Sequence, residues 1–123
     1  MPDTTTTVQM LKEAMARFVA ERDWQQFHSP KNLVMGLSVE AAELMEHFLW
    51  IDNDASRQVV QDAGKRGEVA DEMADVACYL LALSNTLGID LSEAIVAKLA
   101  KNERKYPVEL SRERFQKPEQ GTQ

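Results

Sequence analysis

The sequence predicts an all-α protein, a four-helix bundle completed by oligomerisation. Apolar residues recur every three or four positions in four long segments, and no stretch alternates apolar and polar residues as a strand does. A length of 123 residues suits one domain. The predicted helices are apolar over more than one face, which a small four-helix unit cannot cover, so we expect a helical dimer or a higher oligomer.

The first two helices are separated by Pro30. The first follows a run of threonines that offers N-caps, and it ends near the segment "ERDWQQFHSP". Its apolar positions are Val8, Leu11, Met15, Phe18 and Val19. The second helix is predicted from about Asn32 to Trp50. Its apolar stripe consists of Leu33, Leu37, Ala41, Leu44 and Phe48.

The last two helices follow a polar connector, residues 51–67, in which we predict at most one helical turn around Val59 and Val60. The third helix runs from about Glu68 to Leu87, is apolar over a wide arc and is predicted to be central; Gly88 suits its end. Asp90 and Glu93 form a plausible capping box for the fourth, which ends before Pro107 and is predicted to bury Leu91, Ile95 and Leu99. We predict one domain over residues 1–110 and a polar tail over 111–123.

Composition narrows the function. Lys and Arg number 14 and Asp and Glu 20, a net charge of −6, which disfavours a protein that wraps duplex nucleic acid. Cys78 is the only cysteine, and its apolar surroundings predict a buried thiol. The N-terminus lacks the pattern of a signal peptide and no apolar run reaches about 18 residues, so we expect a soluble, cytoplasmic protein with no membrane partner.

Two predicted helices carry an acidic pair at a spacing of three residues. Glu40 and Glu43 lie on the second helix, with His47 and Trp50 predicted on the same stripe, and Glu72 and Asp75 precede Tyr79 on the third. A single such pair is ordinarily solvent-facing charge. Here both pairs belong to the most apolar helices and are followed by aromatic residues rather than by Lys or Arg.

Four carboxylates in one cleft would repel one another, and a divalent cation removes that repulsion. All-oxygen ligands suit Mg²⁺, with Mn²⁺ as a substitute, and Mg²⁺ prefers carboxylates together with substrate phosphates. A di-iron bundle is the competing interpretation, but it needs Glu-x-x-His on two helices, and the third helix has no histidine.

Basic and aromatic residues suggest the rest of a nucleotide site. Lys98, Asn102 and Lys105 share one face of the fourth helix, which is either solvated or a positive wall for phosphates. Trp24 and Trp50 are the only tryptophans, and either they anchor a core or an interface, or a planar base stacks on them.

Four segments together resemble the MazG-like all-α nucleoside triphosphate pyrophosphohydrolases, and within them the dCTP pyrophosphatase branch. They are "ERDWQQFHSPKNL", "EAAELMEHFLW", "DEMADVACYLLAL" and "KLAKNERKYPVELS", between Glu21 and Ser111. The resemblance implies Mg²⁺-dependent hydrolysis of a nucleoside triphosphate to a monophosphate and diphosphate, in clearance or adjustment of the nucleotide pool. It also implies dimers or tetramers with sites at subunit interfaces.

The resemblance also implies roles for individual residues. Glu40, Glu43, Glu72 and Asp75 would hold metal, and Trp24, Trp50 and Tyr79 would shape the base and sugar pocket. Lys98 and Asn102 would lie near the phosphates, with Lys105 and Tyr106 in the same segment. Animal relatives carry a histidine in the first helix where this chain has Met15, which leaves the preferred base open.

The reaction expected from the resemblance is attack of water on the α-phosphorus of dCTP or a modified dCTP. We assign Glu40 as the base, with Glu43 beside it as the second catalytic carboxylate, although a base and a metal ligand are easily confused from sequence. His28 and Asn32 are candidates for reading the base edge, and His28 has the alternative of capping the turn before Pro30. The alternatives are a dUTP-type or broad-specificity pyrophosphatase and a non-catalytic helical oligomerisation module.

Overall fold

The computed structural model describes residues 1–112, and within them the chain is helical without a strand. The described range contains six α-helices: α1 (Val8–Glu21), α2 (Pro30–Glu46), α3 (Asn53–Gln58), α4 (Ala63–Leu87), α5 (Leu91–Lys105) and α6 (Val108–Ser111). Short 3₁₀ turns cover Gln25–Phe27 and Val59–Gln61. The all-α prediction is confirmed. The predicted tail, 111–123, lies outside the described residues beyond Arg112.

The chain forms two compact units, one of residues 1–88 and one that begins at Ile89. The first contains α1 to α4, and the second contains α5 and α6. The prediction of one domain over residues 1–110 stays a prediction.

Side-chain caps fix where the helices start. Oxygens of Thr7, Ser29, Asp62 and Asp90 accept hydrogen bonds from backbone N–H groups at the starts of α1, α2, α4 and α5, with distances of 2.9–3.2 Å. Each bond satisfies one of the N–H groups that a helix start leaves without a partner. At the other end of α4, Gly88 adopts a left-handed conformation (φ 66°), as its predicted stop position requires.

Helix α4 is the central element of the first unit, as predicted, because it packs against both α1 and α2. Among the described residues the buried apolar side chains are few, and they lie on these three helices: Val19, Leu33, Val69 and Ala82. This thin core holds the site-bearing faces of α2 and α4 against each other.

Two predicted boundaries were wrong, and one helix was not predicted. Helix α2 ends at Glu46 and not at Trp50, because His47 and Phe48 donate to carbonyls three residues back and the chain tightens into turns. Asp52 then caps α3 by accepting from the Ala55 N–H at 2.8 Å, so the connector contains a helix that was not predicted. Asp62 starts α4 about five residues before the predicted start at Glu68.

Two predictions of burial were also wrong. Cys78 is exposed, because it lines an open cavity rather than the packed contact between helices. Ile95 and Leu99 of α5 are about half exposed, at 48% and 56%. No single helix of residues 1–112 is both long and apolar enough to cross a membrane, although α4 and α5 pass that test when they are taken together.

Candidate active site

Three carboxylates from two helices converge on one point. Glu40 and Glu43 lie one turn apart on α2, and Glu72 faces them from α4. One carboxylate oxygen from each of the three lies within 4.8 Å of the others. The spacing of three residues places both α2 acids on the side that α4 covers, so the cluster follows from the packing of these helices.

Two oxygens of this cluster lack partners. Oε2 of Glu40 and Oε2 of Glu72 are buried and accept no hydrogen bond from any residue of the described range 1–112. Desolvation raises the pKa of Glu40, and Glu43 raises it further through a hydrogen bond and its charge, followed by the charges of Asp75 and Glu72. The pKa of Glu72 is raised by desolvation and then by the charges of Glu43 and Asp75. Such a cluster is favourable for a cation and unfavourable without one.

Asp75 lies at the edge of the cluster rather than inside it. Its side chain is exposed and it is not one of the three converging carboxylates, but its charge acts on both Glu40 and Glu72. It also lines the adjoining cavity together with Glu40. Asp75 therefore connects the carboxylate cluster to the cavity.

His47 lies close enough to Glu72 for its charge to act on that carboxylate, and its Nδ1 is 3.9 Å from Oε2 of Glu68. The same oxygen of Glu68 lies 3.5 Å from Nζ of Lys65. The charge of His47 partly counteracts the rise in the pKa of Glu72. His47 therefore belongs to the surroundings of the acidic cluster, as the stripe Glu40, Glu43, His47 predicted.

A cavity of about 320 Å³ opens beside the carboxylates. Glu40 and Asp75 form its acidic side, and the rest of its lining consists of aromatic, thiol, thioether and imidazole side chains: Met15, Phe18, Trp24, His28, Cys78 and Tyr79. The Trp24 ring contacts the Phe18 ring edge-on, with centroids 5.7 Å apart. This size and lining are typical of a site for a small, partly apolar ligand.

A second cavity of about 230 Å³ shares three wall residues with the first, namely Trp24, His28 and Tyr79. Asn32 lines this second cavity, and its side-chain amide donates to the Phe27 carbonyl oxygen at 3.2 Å. His28 is the C-terminal cap of the 3₁₀ turn Gln25–Phe27 before Pro30, where its backbone N–H donates to the Gln25 carbonyl oxygen at 3.1 Å, as the alternative role predicted. The side chains predicted to bind a base, Trp24, His28, Asn32 and Tyr79, therefore surround two adjoining cavities.

Trp50 is not part of this group. It follows the end of α2 in a turn, is 88% exposed and does not line either of these two cavities. Its predicted position on the stripe of Glu40 and Glu43 was wrong, because the helix on which that stripe depends stops at Glu46. Its predicted role in substrate binding stays a prediction.

The predicted phosphate-contacting residues belong to the second unit. Lys98 lines a shallow depression on α5 with Ala94, Ile95 and Leu99, and Asn102 lies one turn further on. Nζ of Lys105 lies 5.7 Å from the centre of the Tyr106 ring. Their predicted roles are untested by this geometry.

The structure adds two cavity residues that the sequence interpretation did not assign to the site. Phe18 lies one turn after Met15 on α1, and Cys78 lies three positions after Asp75 on α4. Helical spacing from Asp75 would have indicated Cys78. Phe18 had no such signal, because its place in an apolar stripe predicted the core.

Comparison with known proteins gives a consistent family assignment. Residues 35–118 match the model of the MazG-like family. The chain is 38% identical over 106 residues to dCTP pyrophosphatase 1 of Bos taurus and of Mus musculus, and 37% identical to that of Homo sapiens. The alignment covers 86% of this chain, and the chain spans about 63% of the length of the bovine protein.

A solved structure is also similar. The crystal structure of a pyrophosphatase from Archaeoglobus fulgidus superimposes with a TM-score of 0.77 at 38% identity. The match covers 87% of this chain and 98% of that one.

Proposed function

Since this chain belongs to the MazG-like family, we propose that it is a Mg²⁺-dependent nucleoside triphosphate pyrophosphohydrolase. Its proposed substrate is dCTP or a modified dCTP, and its products are dCMP and diphosphate. The observation that carries the proposal is the convergence of three carboxylates beside an aromatic-lined cavity. The names of the similar proteins support the same substrate and reaction. The proposed role is to clear or adjust the nucleotide pool of the cytoplasm.

The carboxylate cluster fits a divalent metal ion. The buried Oε2 atoms of Glu40 and Glu72 have no hydrogen-bond partner among the residues that the structure describes, and a cation would supply one for both. Glu40, Glu43 and Glu72 would hold the ion, with Asp75 beside them. All-oxygen donors suit Mg²⁺ or Mn²⁺. When bound, the ion would neutralise phosphate charge and acidify a water molecule.

The cavity suits the nucleoside part of the substrate. Trp24, Phe18 and Tyr79 give it aromatic faces on which a planar base can stack. Glu40 lines the cavity and is also one of the proposed metal ligands, and Asp75 lines the cavity beside it. The phosphates would therefore extend from the cavity to the carboxylate cluster. We propose that His28 and Asn32 contact the edge of the base, since they line the two cavities that meet at Trp24 and Tyr79.

The proposed reaction is an in-line displacement at the α-phosphorus. A water oxygen forms a bond to that phosphorus, and the bond from phosphorus to the oxygen that bridges to the β-phosphate breaks. The carboxylate of Glu40 accepts the proton of the water, and diphosphate leaves. We assign this role to Glu40 because it alone among the three converging carboxylates also lines the cavity. Glu43 stays assigned as the second catalytic carboxylate.

Phosphate contacts are proposed for the second unit on the resemblance alone. The resemblance implies phosphate contacts for one segment of the second unit, which contains Lys98, Asn102, Lys105 and Tyr106. The basic side chains would offset charge on the triphosphate that the metal leaves uncompensated. Trp50 is likewise proposed to contact the nucleotide on the resemblance alone.

The test is product analysis of dCTP incubated with Mg²⁺, with a variant and a matched control. Glu43→Gln combined with Asp75→Asn should abolish release of dCMP and diphosphate while its circular dichroism stays that of the parent. Glu46→Gln combined with Asp71→Asn removes the same charge from exposed positions of the same helices and should retain activity.

Three outcomes would redirect the proposal. Cleavage of dUTP or of many triphosphates in preference to dCTP would support the proposed active site but not the proposed substrate. The protein would then be a dUTP-type or broad-specificity pyrophosphatase. Equal activity of the parent and the Glu43→Gln, Asp75→Asn variant would show that the reaction does not need the carboxylates of Glu43 and Asp75. Absence of cleavage of any triphosphate with Mg²⁺ or Mn²⁺ would leave the oligomerisation module as the better description.

A further inference from the structure

The ring of Tyr79 lies directly against the backbone of α2 at Gly36. A Cβ atom added to Gly36 would lie 2.7 Å from Cζ of Tyr79 and 2.9 Å from its Cδ1, and closer still to its Cε1. Carbon atoms do not approach to these distances, so the ring occupies the space that any other residue at position 36 would need. The contact joins α2 to α4 at the level of the cavity.

The same ring is a wall of both cavities. Tyr79 lines the cavity of about 320 Å³ beside Glu40 and Asp75, and it also lines the cavity of about 230 Å³ that contains Asn32. Any movement of the ring away from α2 therefore changes the space available in one cavity or both.

Gly36 is an unusual residue for its position. It lies inside α2, one turn before Glu40, and glycine inside a helix lowers stability relative to alanine. Gly67, inside α4, offers a contrast, because a Cβ added there would meet no atom within 4 Å. Among the four glycines of residues 1–112, only Gly36 leaves space that the side chain of another residue fills.

We propose that Gly36 is a positioning residue that determines specificity: by lacking a side chain it seats the Tyr79 ring against α2 and thereby sets the width of the nucleoside cavity. The inference rests on the proposed function for the identity of the ligand. Gly36 itself does not touch the substrate. The three converging carboxylates belong to Glu40, Glu43 and Glu72 and not to Tyr79, so we expect a change at position 36 to affect binding of the nucleoside more than turnover at the metal.

The test is a double-mutant cycle of Gly36→Ala and Tyr79→Ala, assayed with dCTP and Mg²⁺. Gly36→Ala should raise KM about tenfold and change kcat less than about twofold, because it removes binding that is equal in the ground and transition states. In a Tyr79→Ala protein the ring is gone, so Gly36→Ala should have no further effect on KM. The matched control, Gly67→Ala, should keep the parent's KM.

Several results would overturn the inference. One is an unchanged KM in Gly36→Ala. Another is an equal effect of Gly36→Ala on KM with and without the Tyr79 ring, because the substitution would then act through the α2 backbone and not through the ring. If Gly36→Ala alone fails to fold, the double variant should fold and resemble Tyr79→Ala; failure of the double variant as well would contradict the contact.

Failure of the proposed function is distinguishable from failure of this inference. If the parent cleaves no triphosphate, thermal unfolding of the same four proteins still measures the contact. Gly36→Ala should then lower the unfolding temperature when Tyr79 is present and not when it is absent. An equal loss in both backgrounds would reject the seating of the ring.

Discussion

Individual carboxylates of the cluster differ in their surroundings. Glu40 and Glu72 each have a buried oxygen without a partner and a raised pKa, whereas Glu43 and Asp75 are exposed. The sequence could predict that these four residues share a region, because helical spacing aligns each pair. It could not predict which oxygens lose their solvent, because that depends on how closely α2 approaches α4.

The raised pKa values predict how stability depends on pH. A carboxyl group with a higher pKa in the folded than in the unfolded protein favours folding as pH falls, from the raised pKa down to the ordinary glutamate value of 4.5. The metal-free protein should therefore gain thermal stability as pH is lowered from neutrality toward that value. Thermal unfolding in a chelator at several pH values measures this.

A double variant, Glu40→Gln with Glu72→Gln, provides the control for this prediction. Its unfolding temperature should be higher than the parent's at neutral pH without metal and should depend less on pH. Addition of Mg²⁺ at neutral pH should stabilise the parent and leave the variant unchanged. The same pH dependence in both proteins would show that other groups cause it.

Met15 is the residue whose substitution we expect to change the preference among nucleotide bases. It lines the cavity with Trp24 and His28, and animal relatives are expected to carry a histidine there. Met15→His adds a hydrogen-bonding group and should change the ratio of kcat/KM between dCTP and the other deoxynucleotides by about tenfold or more. Competition between nucleotides in one reaction measures the ratio. An unchanged ratio would exclude position 15 from base selection.

Local signals predicted the helices better than their connections. Asp90 and Gly88 gave a cap and a stop that the structure confirms, because capping depends on a few neighbouring residues. The end of α2 was missed because Asp52 caps a new helix six positions after Glu46, and apolar spacing alone gives no sign of that competition. The approach of Tyr79 to Gly36 joins different helices, so no local pattern indicates it.

Two glycines of the first unit predict opposite effects of the same substitution. Gly67→Ala should stabilise the protein by roughly 0.5–1 kcal/mol, because α4 gains helix propensity and the added carbon meets no neighbour. Gly88→Ala should destabilise it by about 1 kcal/mol, because alanine is strained at a φ of +66°. Urea unfolding of both variants tests the pair, and equal effects would contradict the helix boundary at Leu87.

Across the whole molecule, apolar surface exceeds what the described core can bury. Met35 and Val39 of α2 are 57% and 56% exposed, and Met73 of α4 is 58% exposed. Soluble proteins seldom leave neighbouring large apolar side chains in water without a partner. The proposed dimer or tetramer would remove these surfaces from solvent.

A charge placed on this apolar surface should weaken the assembly. Met35→Glu should shift the protein toward smaller species in analytical ultracentrifugation, because burial of the new charge is unfavourable. Gln58→Glu adds a charge at an exposed position of α3 and should leave the distribution unchanged. A parent that is monomeric at all concentrations would contradict the proposed oligomer.

The most direct test of the proposed reaction is hydrolysis of dCTP with Mg²⁺ in ¹⁸O-labelled water, followed by mass spectrometry of the products. Attack at the α-phosphorus predicts one labelled oxygen in dCMP and none in diphosphate. Label in diphosphate, or release of orthophosphate with dCDP, would contradict the assignment, because the water would then have attacked a different phosphorus.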